Sequence, residues 1–130
     1  MPKGQCHCGA VRYEMPEETI RKALCHCTDC RRHAGAPMVA WGLVRKDQLK
    51  VEGETKQYAS SDHGVRHFCP RCGTGLFYSN DQVFPGQIDV QWATLDDPDA
   101  ISPDVQVQAA ERIGWMERLE SIPAFERFPG

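Results

Sequence analysis

Cys69-Pro70-Arg71-Cys72-Gly73 sets two thiols three positions apart and places a glycine directly behind the second. A tight turn over such a stretch brings both sulfurs to one point with backbone amides facing them, and a glycine supplies the positive φ that such a turn needs. The stretch reads as half of a metal site. Outward from it, the other five of the chain's seven cysteines fall into Cys6-x-Cys8 and Cys25-x-Cys27-x2-Cys30. Cysteines one or two residues apart are badly placed for the Cα separation of about 5.5 Å that a disulfide prefers, and seven is an odd number, so the grouping predicts thiolate ligation of zinc. Four thiolates close a structural tetrahedron, whereas three leave a fourth position open.

Residues two apart on a strand share a face, so Cys6 and Cys8 reach one ion if residues 5–9 are extended, with His7 turned away from it. Joined to Cys69 and Cys72, they predict a structural zinc site that fastens the start of the chain to its middle. Cys25, Cys27 and Cys30 offer three more thiolates, the first two related by strand-like alternation and the last two by a turn. Three readings of this trio stand open. It closes a second structural site with His26, His33, His63 or His67 as fourth ligand. It keeps that position free, so that zinc activates a bound thiol or water or polarises a carbonyl. Or it holds no metal and acts through free thiols, although no βαβ pattern accompanies it as in thioredoxin-like redox motifs. A tetrathiolate ion is already quenched by four anionic donors, so chemistry is expected at the trio.

With 130 residues the chain is expected to form a single domain, 1–130, in which bound metal supplies part of the folding energy. Fifteen basic and eighteen acidic side chains leave a formal charge of -3, which argues against a nucleic-acid surface. Seven thiolates around two zinc ions add about -3 more, a charge that nearby arginines would offset. The first residues contain no apolar leader, and no apolar run approaches the roughly 20 residues of a membrane span. Reduced thiols and the missing leader together predict a cytoplasmic protein.

Alternating or β-branched stretches predict a mainly β fold, with strands over residues 10–15, 38–44, 56–59, 65–68, 76–78, 87–92 and 105–108. One short helix is expected, capped by Thr28 or Asp29, running through Arg31, Arg32 and His33 and stopped by Gly35. Trp115, Leu119, Ile122 and Phe125 fit either a helical turn ended by Pro123 or an irregular tail laid on the sheet. Asp96, Asp97 and Asp99 lack EF-hand spacing and read as a surface turn. Trp41 and Trp92 sit in strands and are expected in the core rather than around a pocket.

Gly4-x-Cys6-x-Cys8-Gly9-x-Val11-x-Tyr13, Cys25-His26-Cys27-x2-Cys30-Arg31-Arg32-x2-Gly35 and Phe68-Cys69-x2-Cys72-Gly73-Thr74 together resemble the signature of the glutathione-dependent formaldehyde-activating (Gfa) family, which includes centromere protein V. The resemblance spans nearly the whole chain and implies a zinc-bound β-tent of several short, mostly antiparallel sheets. It also implies a structural zinc on Cys6, Cys8, Cys69 and Cys72 and a second, labile zinc on Cys25, Cys27 and Cys30. The implied activity is a carbon-sulfur lyase reaction joining glutathione to formaldehyde, with the trio catalytic. Arg31 and Arg32 are candidate partners for a glutathione carboxylate, and His26 and His33 for proton transfer. The family's chromosome-associated branch leaves a non-catalytic alternative, an adduct carrier or interaction platform.

Overall fold

A computed structural model describes residues 1–129. Ten strands form: β1 (Lys3–Gln5), β2 (Arg12–Glu14), β3 (Arg21–Cys25), β4 (Val39–Arg45), β5 (Lys50–Glu52), β6 (Lys56–Ala59), β7 (Val65–Phe68), β8 (Gly75–Ser79), β9 (Gln87–Gln91) and β10 (Val105–Val107). They make a three-stranded sheet in the order β1-β2-β5 and a seven-stranded sheet in the order β10-β3-β4-β9-β8-β7-β6. Every pairing is antiparallel except that of β10 with β3. Among the described residues the one α-helix, α1 (Thr28–Ala34), follows β3, and the remaining helical turns are short 3-10 segments. The fold is mainly β, as the alternating stretches require.

Alternation along the strands divides the large sheet into two unlike faces. Val44 pairs with Ile88, and Phe77 with Val90, so their side chains share one face. That face buries its apolar groups against Val11, Tyr13 and Met15 of the N-terminal region and against Trp92 and Leu95. Gly42 lies in this layer because Trp92 packs over it; a Cβ on Gly42 would enter the indole ring. The opposite face carries a different row: Arg21 pairs with Leu43, Leu43 with Asp89, Asp89 with Tyr78, and Tyr78 with Arg66. Beside that row stand Ala23, Trp41 and Cys25, and α1 covers this end of the face through buried Cys30.

Three features differ from the reading of the sequence. Residues 5–9 are not extended beyond Gln5: the Gly9 amide donates to the Cys6 carbonyl at 3.1 Å, and Gly9 takes φ 80°, so a turn rather than strand alternation brings Cys6 and Cys8 together. The helix cap is Cys27, whose sulfur accepts from the Cys30 amide, and not Thr28 or Asp29; Gly35 ends the helix at φ 66° as expected. Strands β1, β3 and β5 were not legible from alternation, because their residues are polar, charged or short in apolar partners.

The tail forms a 3-10 segment, Gly114–Ser121, kinked at Arg118 and finished before Ile122 and Pro123. Trp115 and Phe125 stay exposed instead of covering the core. Asp96, Asp97 and Asp99 lie in an exposed turn. Among the described residues no helix is long and apolar enough to cross a membrane.

Two cysteine centres and a charged cavity

The first centre is built by two turns facing each other. In one, the Val11 amide donates to Cys6 Sγ at 3.3 Å; in the other, the Arg71 amide donates to Cys69 Sγ at 3.4 Å. Thr74 links them, since its Oγ1 accepts from the His7 amide at 3.0 Å and lies 3.2 Å from Cys72 Sγ. The sulfurs of Cys6, Cys8, Cys69 and Cys72 all fall within 4.8 Å of one another. Cys6 and Cys8 are 3.7 Å apart, and Cys8 and Cys69 are 3.8 Å apart. A tetrahedron with metal–sulfur bonds of about 2.3 Å has edges of about 3.8 Å, so the donor set fits zinc. His7 is exposed and contributes no atom to the group.

The second centre lies on the other face of the large sheet. Cys25 ends β3, Cys27 caps α1, and Cys30 occupies the first turn of that helix. Their three sulfurs also lie within 4.8 Å of one another, and among the described residues no histidine nitrogen or carboxylate oxygen joins them. The donor set therefore fits a metal bound through three protein ligands.

Each histidine considered as a fourth ligand is engaged elsewhere or absent from the group. His26 is fully buried, with Nε2 2.7 Å from Gln106 Oε1 and its amide donating to the Val107 carbonyl at 3.2 Å. It holds the 105–112 segment against the trio. His67 pairs with Phe77 across β7 and β8, which puts it on the core face, where Nε2 lies 2.9 Å from Ser79 Oγ. Burial lowers its pKa. His33 stacks beside Tyr58 with ring centroids 6.1 Å apart, and burial with the nearby Arg66 charge lowers its pKa. His63 is exposed.

Beside the trio opens a cavity of about 530 Å³, within the range of roughly 300–1,000 Å³ common for small-molecule sites. Trp41, Tyr78, Phe84 and Val107 give it apolar walls, and Arg21, Arg66 and Asp89 give it charge. Arg66 is 4% exposed, and its guanidinium has three engagements. It donates to Ser60 Oγ at 3.0 Å and to Cys30 Sγ at 3.3 Å, and it lies 4.4 Å from the centre of the Tyr78 ring. A hydrogen bond from Cys25 and then the Arg66 guanidinium hold the Cys30 thiol down at about 5, against the push of burial. The Cys25 thiol is pushed up in exchange, by Cys30 and by burial. The arginine thus favours the thiolate form at Cys30.

Asp89 is also 4% exposed. Its Oδ2 lies 3.9 Å from Arg21, while Oδ1 is buried without a hydrogen-bond partner. Burial pushes its carboxyl up to about 7, against the pull of Arg21.

Arg31 donates to the His26 carbonyl at 3.3 Å and to Thr28 Oγ1 at 3.2 Å. Together with Arg32 it borders a separate groove near Pro37 and Trp115, not the cavity beside the trio. Trp92 belongs to the main core as expected, and Trp41 is buried in a second apolar cluster from which it also walls the cavity. Arg66 and Asp89 were missed from sequence. The available signal was a charged residue standing at a strand position whose neighbours on both sides are β-branched or aromatic.

A four-sulfur centre on one side of a β-sheet and an incomplete three-sulfur centre beside a cavity on the other define a two-centre, cysteine-ligating β protein. The family described as glutathione-dependent formaldehyde-activating enzyme matches residues 1–111, and this chain belongs to that family. A Halomonas elongata protein named as a glutathione-dependent formaldehyde-activating enzyme is 34% identical over 134 residues, covering 93% of this chain and 76% of that protein. A Schizosaccharomyces pombe protein named as a lyase is 31% identical over 77 residues, covering 59% of this chain and 56% of that protein. The match thus spans little more than half the length of the yeast relative. The crystal structure of a Rhodobacter sphaeroides protein shares the fold with a TM-score of 0.60 and 25% identity, over 80% of this chain and 97% of that one.

Proposed function

We propose that this chain is a zinc-dependent carbon-sulfur lyase-type enzyme that joins glutathione, or a similar thiol, to formaldehyde or another small aldehyde, giving an S-hydroxyalkyl adduct. With formaldehyde the product is S-(hydroxymethyl)glutathione. In this reading residues 1–130 form one zinc-binding domain, and its reduced thiols suit the cytoplasm. The observation that carries the proposal is the incomplete three-sulfur group opening beside a cavity that holds a buried arginine. The names of the family and of the Halomonas relative support the substrates.

Cys6, Cys8, Cys69 and Cys72 hold the structural ion, and Cys25, Cys27 and Cys30 hold the second. Cys25, Cys27 and Cys30 would hold zinc, which when bound would supply Lewis acidity favouring thiolate over thiol. The residues around it bind and orient. Arg66, anchored to Cys30 Sγ and Ser60, sets a fixed positive charge beside the trio, which favours an incoming sulfur as thiolate. Arg21, at the same cavity and part-exposed, suits a glutathione carboxylate, and we assign it the role first considered for Arg31 and Arg32. Trp41 and Phe84 wall the cavity in which the two reactants would meet, so that the work is largely proximity.

Exchange NMR with labelled formaldehyde and glutathione tests the reading. Wild-type protein is expected to exchange the two faster than buffer does, and Cys27→Ser to fall back to the buffer rate. Equal rates for wild type and Cys27→Ser would leave the chain as a non-catalytic zinc module.

A further inference from the structure

Asp89 is the one acidic side chain in the row that crosses the cavity face of the large sheet, and its setting is unusual for a structural carboxylate. Its neighbours in that row are Leu43 of β4 and Tyr78 of β8, with Arg21 of β3 and Arg66 of β7 one strand further on each side. The charged and titratable groups beside it on the sheet are therefore Arg21, Arg66 and Tyr78, with Cys30 approaching from α1, while Asp29, Glu111, Cys25 and Cys27 line the far side of the same cavity. A carboxylate kept only to neutralise an arginine would use both oxygens at hydrogen-bonding distance. Here the Arg21 contact is long, at 3.9 Å, and the Nε and Nη1 groups of Arg66 donate to Ser60 and Cys30 rather than to Asp89. Oδ1 stays buried, unpartnered, on a residue that lines the same cavity as the trio. A buried acceptor without a donor is costly to keep and marks a group whose partner arrives with a ligand.

We propose that Asp89 carries the proton in adduct formation, taking it from the thiol and returning it to the aldehyde oxygen. The inference rests on the thiol–aldehyde reading given above. In the forward direction the S–H bond breaks and its proton passes to Asp89 Oδ1. The sulfur lone pair forms the C–S bond while the C=O π pair moves onto oxygen, and the proton on Asp89 then closes the O–H bond. Atoms and electrons balance without an oxidant or reductant, and the reverse path uses the same group. Thiol and carbonyl oxygen are both small enough to lie within the one cavity with Asp89, so a single carboxyl serves both transfers. The upward push of burial on this carboxyl suits the task, because a carrier that titrates near neutrality gives up a proton as readily as it takes one.

Two readouts on the metal-loaded protein test this. Adding glutathione without aldehyde should protonate Asp89, so the infrared difference spectrum gains a carboxylic-acid C=O band that Asp89→Asn lacks. In exchange NMR, Asp89→Asn should react at least about 100-fold more slowly than wild type, the lower end of what positioned acid–base groups contribute. Its metal content and melting profile should match or exceed those of wild type. Asp89→Glu, which keeps a displaced carboxyl, should recover part of the rate and show the band at a shifted frequency, and it decides the matter if Asp89→Asn does not fold. No band in wild type, or an Asp89→Asn rate within about 3-fold of wild type, would overturn the inference. Wild type no faster than buffer would instead overturn the enzymatic reading, and the band alone would then decide whether Asp89 accepts a thiol proton.

Discussion

Undoing one half of the four-sulfur centre should cost far more stability than undoing the trio, because the two centres close very different lengths of chain. Cys8 and Cys69 are 61 residues apart, so a metal bridging their turns removes from the unfolded chain the freedom of a 61-residue loop. Treated as a cross-link, such a loop is worth about 4 kcal/mol at 25 °C. Cys25 and Cys30 close a loop of only a few residues, worth about 2 kcal/mol by the same relation, and β3 and α1 already hold its ends. The double variant Cys69→Ser/Cys72→Ser should therefore lose about 4 kcal/mol or more, a large share of the roughly 5–15 kcal/mol typical of a domain. Cys27→Ser/Cys30→Ser should lose about 2 kcal/mol or less. Urea unfolding at fixed zinc concentration, with metal counted by native mass spectrometry, measures both. Equal losses, or a loss under about 1 kcal/mol for the first variant, would refute the assignment of Cys6, Cys8, Cys69 and Cys72 as the clasp that ties chain start to chain middle.

Other consequences are local. Gly42→Ala places a methyl group into the Trp92 ring and should cost about 1–3 kcal/mol in thermal or urea unfolding, with both metal sites intact. Arg66→Gln removes the cation beside Cys30, so in metal-stripped protein the Cys30 thiol should move up from about 5 toward its ordinary value of 9.0; ultraviolet thiolate absorbance against pH reads this, and an unchanged curve would show that the neighbouring thiols Cys25 and Cys27 set it. Asp89 titrates near 7 in the fold against 3.8 ordinarily, so the folded state binds the extra proton between those values. Stability from this group is therefore present at low pH and is lost as pH rises toward 7, by about 1.4 kcal/mol per pH unit. Asp89→Asn should accordingly be more stable than wild type at pH 8, by up to about 4 kcal/mol, and the gain should shrink toward pH 5. A constant difference across that range would show that the carboxyl does not titrate there.

The two cysteine groups were legible because they are written in local spacing. Cys69-x2-Cys72-Gly73 forms the expected turn with amides on sulfur, and Gly73 takes φ 83°. The extended run over residues 5–9 on which strand alternation of Cys6 and Cys8 depends does not form, and Gly9 follows Cys8 just as Gly73 follows Cys72, the sign of a second turn. Gly35 stops α1 as its conformational freedom predicts, but Cys27 took the capping place because a thiol directed at the trio is also within reach of the Cys30 amide. Strand β3, Arg21–Cys25, carries charge on its outer residues and no clean alternation, and the residues that define it come from elsewhere in the chain: β4 on one edge and β10 on the other. The cavity was illegible for the same reason. Arg21, Arg66 and Asp89 stand on three different strands, and only the register across the sheet brings them into one row.

The claim on which the rest depends is that the two centres differ, one saturated by protein and the other short of a ligand. A crystal structure with anomalous scattering measured at the zinc edge, before and after soaking with glutathione, tests it most directly. The expected result is one zinc bound by Cys6, Cys8, Cys69 and Cys72 and unaltered by the soak, and a second on Cys25, Cys27 and Cys30 whose fourth position is filled by solvent or by the glutathione sulfur. A protein side chain, His26 or any other, completing the second site in both crystals would contradict the account.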